Sequence, residues 1–99
     1  MELVIRNKVF MKLLEVPKGK VVSYGELAHA CGTSARAVGA IMRSNDEPHI
    51  YPCYKVVHEN KMIGNYSGVG GKKTKIKLLK KDGVLIDRDF VDEKCMHRF

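Results

Sequence analysis

Ser23-Tyr24-Gly25-Glu26-Leu27-Ala28-His29-Ala30-Cys31-Gly32-Thr33-Ser34-Ala35-Arg36-Ala37-Val38-Gly39-Ala40-Ile41-Met42 carries two helix starts separated by a glycine. Ser23 followed three residues later by Glu26 is a capping box, in which each side chain satisfies a backbone N–H of the first turn. It predicts a short helix from Tyr24 to Ala30 with Leu27 facing inward. Gly32 breaks that helix, and Thr33 or Ser34 caps a second one over 35–42, with Val38, Ile41 and Met42 as its buried stripe. Two short helices joined by a tight glycine-containing turn make a helix-turn-helix. The small residues at Ser34, Ala35, Ala37 and Gly39 leave two uses for the second helix. It either enters a nucleic-acid groove, where its N-terminal amides favour phosphate, or packs tightly on another helix.

Outward from this pair, Ile5, Val9 and Leu13, with Phe10 and Leu14 beside them, recur at helical spacing over 3–14. Pro17 and Gly19 end that helix, and Lys20-Val21-Val22 reads as extended. After Met42 the chain is irregular to Pro52. Tyr54-Lys55-Val56-Val57 predicts a strand, and Met62-Ile63 a second, with Glu59-Asn60 at the turn between them. A glycine-rich loop covers 64–71. Residues 72–81 read as a helix with Ile76, Leu78 and Leu79 apolar and Gly83 as its stop. Its lysines at 72, 73, 75, 77, 80 and 81 read as a solvated face, from which some, Lys72 among them, reach phosphates. From Val84 on, alternation suggests one or two small strands. The expected fold is mainly α with short strands, a winged-helix-like helix-turn-helix in a single domain over 1–99.

The chain has 99 residues, 44% hydrophobic and 29% charged, which is ordinary globular material. Eighteen Lys and Arg against eleven Asp and Glu give a net charge of +7, a surplus that favours polyanions. No apolar run approaches the length that crosses a bilayer, so no membrane partner is expected, and Met1-Glu2-Leu3 does not resemble the start of a signal peptide. A cytoplasmic location is the resulting expectation. The three cysteines, Cys31, Cys53 and Cys95, are odd in number and widely spaced, which argues against a disulfide framework. Neither His29-x-Cys31 nor Cys95-x-His97 has zinc spacing, so no metal is expected. Gly71-Lys72 is followed by Lys73, with Tyr66 where a P-loop needs its first glycine, so the loop is not a nucleotide cradle. Cys53, between Pro52 and the expected strand, is either a small buried hydrophobe or a reactive thiol.

Several separate stretches resemble one family. Gly19-Lys20-Val21-Val22-Ser23-Tyr24-Gly25-Glu26-Leu27-Ala28 resembles the start of the DNA-binding domain of O6-alkylguanine-DNA alkyltransferases. Residues 34–42 are similar to that family's recognition helix. Asn45, Pro52-Cys53-Tyr54-Lys55-Val56 and Gly64-Asn65-Tyr66-Ser67-Gly68 follow in the family's order. The resemblance spans roughly residues 4–86. Many members have an N-terminal domain before this part, so the expectation is their C-terminal domain standing alone, a monomer.

The resemblance implies roles. Cys53 is the alkyl acceptor, attacking carbon as thiolate. Arg36 is the finger that enters the stack where the target base has left, and Tyr24 pushes the 3′ phosphate to rotate the nucleotide out, since O6 lies inside the duplex. Asn45 braces the loop before the cysteine. Val56 offers a backbone carbonyl to the base, and Tyr66, Ser67 and Gly68 form the pocket's lid. Ser34, Ala35, Arg36, Ala37, Gly39, Arg43 and Lys72 contact DNA. The family's usual Pro-Cys-His-Arg-Val is Pro-Cys-Tyr-Lys-Val here, and Asp82 stands where a Glu completes the proton relay. Tyr54 is a poor base near neutral pH, with an unperturbed pKa of about 10, so a relay from Cys53 through Tyr54 to Asp82 is the weak point. The implied function is cofactor-free, single-turnover repair of double-stranded DNA containing O6-alkylguanine. The alternatives are an alkyltransferase-like protein that binds such lesions without transfer, and a winged-helix regulator indifferent to damage.

Overall fold

In a computed structural model that describes residues 2–66 and 68–99, three helices build the first half of the chain. Helix α1 (Glu2–Leu13) buries Val9, Phe10 and Leu13, the inward stripe of its sequence pattern. Helix α2 (Tyr24–Cys31) starts where Ser23 Oγ accepts the Glu26 N–H at 3.0 Å. The capping box is only half made. Glu26 turns away and its carboxylate accepts the Phe99 N–H at 2.9 Å, tying the C-terminal tail to the helix start. At the other end Gly32 adopts φ +72°, a left-handed conformation natural to glycine, and lets the Thr33 N–H reach Ala28 O at 2.9 Å. Ser34, not Thr33, caps α3 (Ala35–Arg43) by accepting the Ala37 N–H at 3.1 Å. Leu27, Ala28 and Cys31 of α2 and Val38 and Met42 of α3 then close over the α1 stripe.

Strand β1 (Val22–Ser23) runs parallel to β2 (Val56–Val57), with Val22 opposite Val56 and Ser23 opposite Val57. Helix α4 (Gly71–Lys81) ends at Gly83, φ +95°. A hairpin of β3 (Ile86–Asp87) and β4 (Phe90–Val91) follows as the wing, and a 3₁₀ turn over Glu93–Cys95 leads the tail back to Val21. Val21, Val57, Ile63, Leu79, Val84, Val91 and Cys95 form a second apolar cluster beneath the wing. The fold is thus mainly helical with short strands. No described helix is long and apolar enough to cross a membrane.

Three local expectations change. The strand foreseen over 54–57 is confined to Val56–Val57, because Cys53–Lys55 forms a 3₁₀ turn. The turn aims the Lys55 side chain back into the protein, where Nζ donates to Pro17 O at 2.8 Å and pairs with Asp82 at 3.1 Å. Met62-Ile63 does not pair with that strand. Val56–Val57 is taken by β1, and Met62 bridges Phe90 of the wing instead. Finally, Lys75 is not on the solvated face of α4. It is 1% exposed and shares the inward stripe with Leu79.

The Lys55–Asp82 pair joins three distant segments, since Asp82 also accepts the Gly19 N–H at 2.8 Å. Removing one member of such a pair strands the other charge in a poorly hydrated place. Asp82→Ala is therefore expected to lower the unfolding free energy by about 3 kcal/mol, read from urea denaturation. A loss below about 1 kcal/mol, the range of an exposed pair, would contradict this role.

Candidate functional site

Cys53 sits at the first position of the 3₁₀ turn, where Pro52 has no N–H to offer a strand ladder, and it is 8% exposed. Its thiol opens on a cavity of about 300 Å³ lined also by Tyr24, Gly39, Met42, Arg43, Asn65 and Tyr66. A second hollow of about 360 Å³ shares Tyr24, Gly39, Arg43 and Asn65 with it and adds Ala35, Arg36, His58 and Glu59. The two are therefore halves of one groove, running from the start of α3 down to the thiol. Arg36, Gly39 and Arg43 lie on one face of α3 at helical spacing and form its wall. Arg36 is exposed at the open end.

The walls are held by specific bonds. Asn45 Nδ2 donates to Tyr51 O at 2.8 Å, and Asn45 Oδ1 accepts the Glu47 N–H at 3.0 Å, bracing the loop that leads to the cysteine. Tyr51 in turn stacks on Phe10, ring centroids 4.7 Å apart. Tyr66 packs over the Cys53 cluster, and its ring lies so close to Gly68 that any side chain there would collide with it. Tyr24 stands against His58, ring centroids 5.4 Å apart, while the Gly25 N–H beside it donates to the Glu59 carboxylate. Burial raises the Tyr24 pKa, with the nearby Cys53 adding to it, and burial does the same to Tyr66. Both phenols stay protonated donors at neutral pH.

Behind this groove lies the feature the sequence reading missed. Lys75 Nζ donates to Val56 O at 2.8 Å and to Asn65 O at 3.2 Å, so one buried ammonium staples the strand after Cys53 to the loop before Tyr66. Burial lowers its pKa to about 8, with Cys53 opposing the shift. The signal available in the sequence was its place four residues before Leu79, on the apolar stripe. Val56 itself is fully buried and lines neither half of the groove.

The other expected residues divide. Ala37 faces a separate groove with Ile5, Arg6, Ala40 and Ile41, on the α1 side of α3. Ser34 is used as the cap. Lys72 pairs with Asp89 at 2.9 Å and lines neither half of the Cys53 groove. Ser67 lies outside the described residues. Tyr54 and Asp82 share a different cavity of about 650 Å³, with Leu14, Pro48 and Ile50, and among the described residues only Tyr66 lines both that space and the thiol's. Burial raises the Tyr54 pKa, with Asp82 and Tyr66 adding to it. Asp82 is paired with Lys55 at 3.1 Å, and neither it nor Tyr54 lines the cavity of the Cys53 thiol. Among the described residues no group of His, Cys, Asp or Glu gathers as a metal site.

Comparison with known proteins gives this groove a context. The family model of the 6-O-methylguanine DNA methyltransferase DNA-binding domain matches residues 4–84. The chain belongs to this family. It is 48% identical over 81 residues to the methylated-DNA–protein-cysteine methyltransferase of Rattus norvegicus, a match covering 79% of the chain and 38% of that protein. It thus spans well under half the length of such relatives. Among solved structures, the O6-methylguanine-DNA methyltransferase of Pyrococcus kodakaraensis is 42% identical with a TM-score of 0.71, over 80% of this chain and 46% of that one. S. pombe Atl1, solved in complex with damaged DNA containing O6-carboxymethylguanine, is 31% identical with a TM-score of 0.75, over 86% and 81% of the two chains.

Asn45→Ala removes two hydrogen bonds from the loop before Cys53, at about 1 kcal/mol each. The expected result is a loss of about 2 kcal/mol in stability together with faster modification of Cys53 by an aromatic disulfide reagent. Unchanged modification would show that the brace does not control access to the thiol.

Proposed function

We propose that this protein repairs O6-alkylguanine in double-stranded DNA by moving the alkyl group onto Cys53, once per molecule. The observation that carries this reading is the continuous groove from exposed Arg36 to buried Cys53, walled by α3 and roofed by Tyr66. A space of about 300 Å³ is at the small end of ligand pockets, suited to one base with a short substituent. The target base leaves the duplex, Arg36 takes its place in the stack, and Tyr24 turns the nucleotide's phosphate. The net charge of +7 supplies the sequence-independent attraction to phosphate.

In the transfer, Cys53 loses its proton to solvent and the thiolate attacks the alkyl carbon. The new S–C bond forms as the C–O6 bond breaks, and the electron pair goes to O6. The base takes a proton from solvent and is left as ordinary guanine. Tyr24 and Tyr66, both protonated donors, stabilise the charge that grows on the base. A thioether is a poor leaving group, so nothing regenerates Cys53 and the reaction stops after one turnover.

A second reading is a lesion-binding protein without transfer. Two observations favour it: Tyr54 and Asp82 line a cavity other than the thiol's, and the similarity to Atl1 extends over most of both chains. Incubation with excess duplex containing O6-methylguanine separates the two. Transfer predicts that the intact protein gains the mass of one methylene, located on the Cys53 peptide and lost in Cys53→Ala. Tight lesion binding with unchanged mass would overturn transfer and leave the sensor reading. Equal binding to damaged and undamaged duplex would overturn both.

A further inference from the structure

Among the described residues a single carboxylate lines the groove that leads to Cys53, and it belongs to Glu59. It shares the open half of the groove with Arg36 and Arg43. Among the described residues it forms an ion pair with neither. It accepts the Gly25 N–H at the start of α2 instead. A negative group standing in a groove that takes in a polyanion opposes the ligand, so its presence there calls for a reason.

The place that Glu59 fills suits an anion. Ser23 Oγ satisfies the Glu26 N–H, while the Gly25 N–H has no partner within the helix and points out of its positive end. Gly25 has no side chain to shield that amide, and a Cβ there would collide with the Glu59 carboxylate. Tyr24 lies beside it on the chain, and α3 contributes the two arginines to the same hollow. The turn that carries Glu59 is itself held. The His58 N–H donates to Met62 O at 3.0 Å and the Lys61 N–H to His58 O at 2.9 Å, while Asn60 Oδ1 accepts the Met62 N–H at 3.1 Å. Glu59 is exposed, so its side chain can swing out to solvent while this backbone stays in place.

From this arrangement we infer that Glu59 is an internal competitor of the DNA backbone. In the free protein its carboxylate occupies the Gly25 amide that a phosphate takes when a duplex enters the groove. The inference rests on a duplex entering there, which the transfer and lesion-binding readings share, and it is independent of chemistry at Cys53. A bound duplex displaces the carboxylate, which turns out to solvent, and no covalent bond is made or broken. Glu59 thus weakens the hold on any duplex, so the attraction supplied by the net charge of +7 is not enough by itself for tight binding.

The test is the Kd for an undamaged duplex, measured over a range of salt concentrations. Glu59→Gln removes the charge but keeps an oxygen that can accept the Gly25 N–H. It is expected to bind about fivefold more tightly, the scale of one close pair of charges in water. Glu59→Ala also frees the amide. It is expected to gain about a further fivefold, the worth of one added hydrogen bond, with a salt slope steeper by up to about 0.9, that of one more phosphate contact. Asp87→Asn adds the same unit of charge on the wing, in a hollow that shares no residue with the groove. It is expected to change the Kd by less than about twofold, because an exposed charge away from the contact is screened. Unchanged or weaker binding by both Glu59 variants, as a mere helix cap would give, would overturn the inference. So would an Ala variant that gains no more than Gln, or an Asp87 variant that gains as much as either. Failure of every form to bind duplex would overturn the DNA readings as well, which separates the two kinds of failure.

Discussion

Four residues paired in parallel, Val22 with Val56 and Ser23 with Val57, hold together the two halves on which everything else depends. Ser23 is the residue that starts α2, and Val56 closes the turn that presents Cys53. The pairing therefore fixes the distance between the helix-turn-helix and the thiol with almost no intervening chain. Val22, Val56 and Val57 are all fully buried, so a register slip of one residue would turn an apolar side chain out of one cluster and leave a void in the other. The groove between α3 and Cys53 is a consequence of that fixed register.

Two buried lysines support the same short turn from opposite sides, and they differ in what they meet. Lys55 reaches back to Pro17 O and to a carboxylate, Asp82, and its charge is balanced within the structure. Lys75 donates to two carbonyls, Val56 O and Asn65 O, and among the described residues pairs with no carboxylate. The first is a clamp for the fold. The second joins the strand after Cys53 to the loop before Tyr66.

Much of this was legible in the sequence because the signals are local. Ser23, Gly32 and Ser34 set the helix-turn-helix through contacts within a few residues, and α1 showed its stripe directly. The family resemblance marked Cys53, Arg36, Tyr24 and Asn45 on separate motifs, and the structure gathers Cys53, Tyr24 and Arg36 along one groove. What stayed hidden depends on contacts far apart in the chain. The 3₁₀ turn at Cys53–Lys55 exists because Lys55 bonds a carbonyl 39 residues away, and Met62 joins the wing instead of its sequence neighbour. Lys75 was lost among six lysines whose composition reads as a solvated face, although its helical register placed it inward. Tyr54 and Asp82 were grouped with Cys53 by the family resemblance, and in the structure they line a neighbouring cavity that shares Tyr66 with the thiol's.

The most direct measure of the central claim is stoichiometry. Increasing amounts of duplex containing labelled O6-methylguanine are added to a fixed amount of protein, and the label transferred to protein is counted at completion. A plateau at one methyl group per molecule, with no further repair on adding fresh duplex, is the predicted result. No transferred label, or repair that continues past one lesion per molecule, would contradict Cys53 as a single-use acceptor.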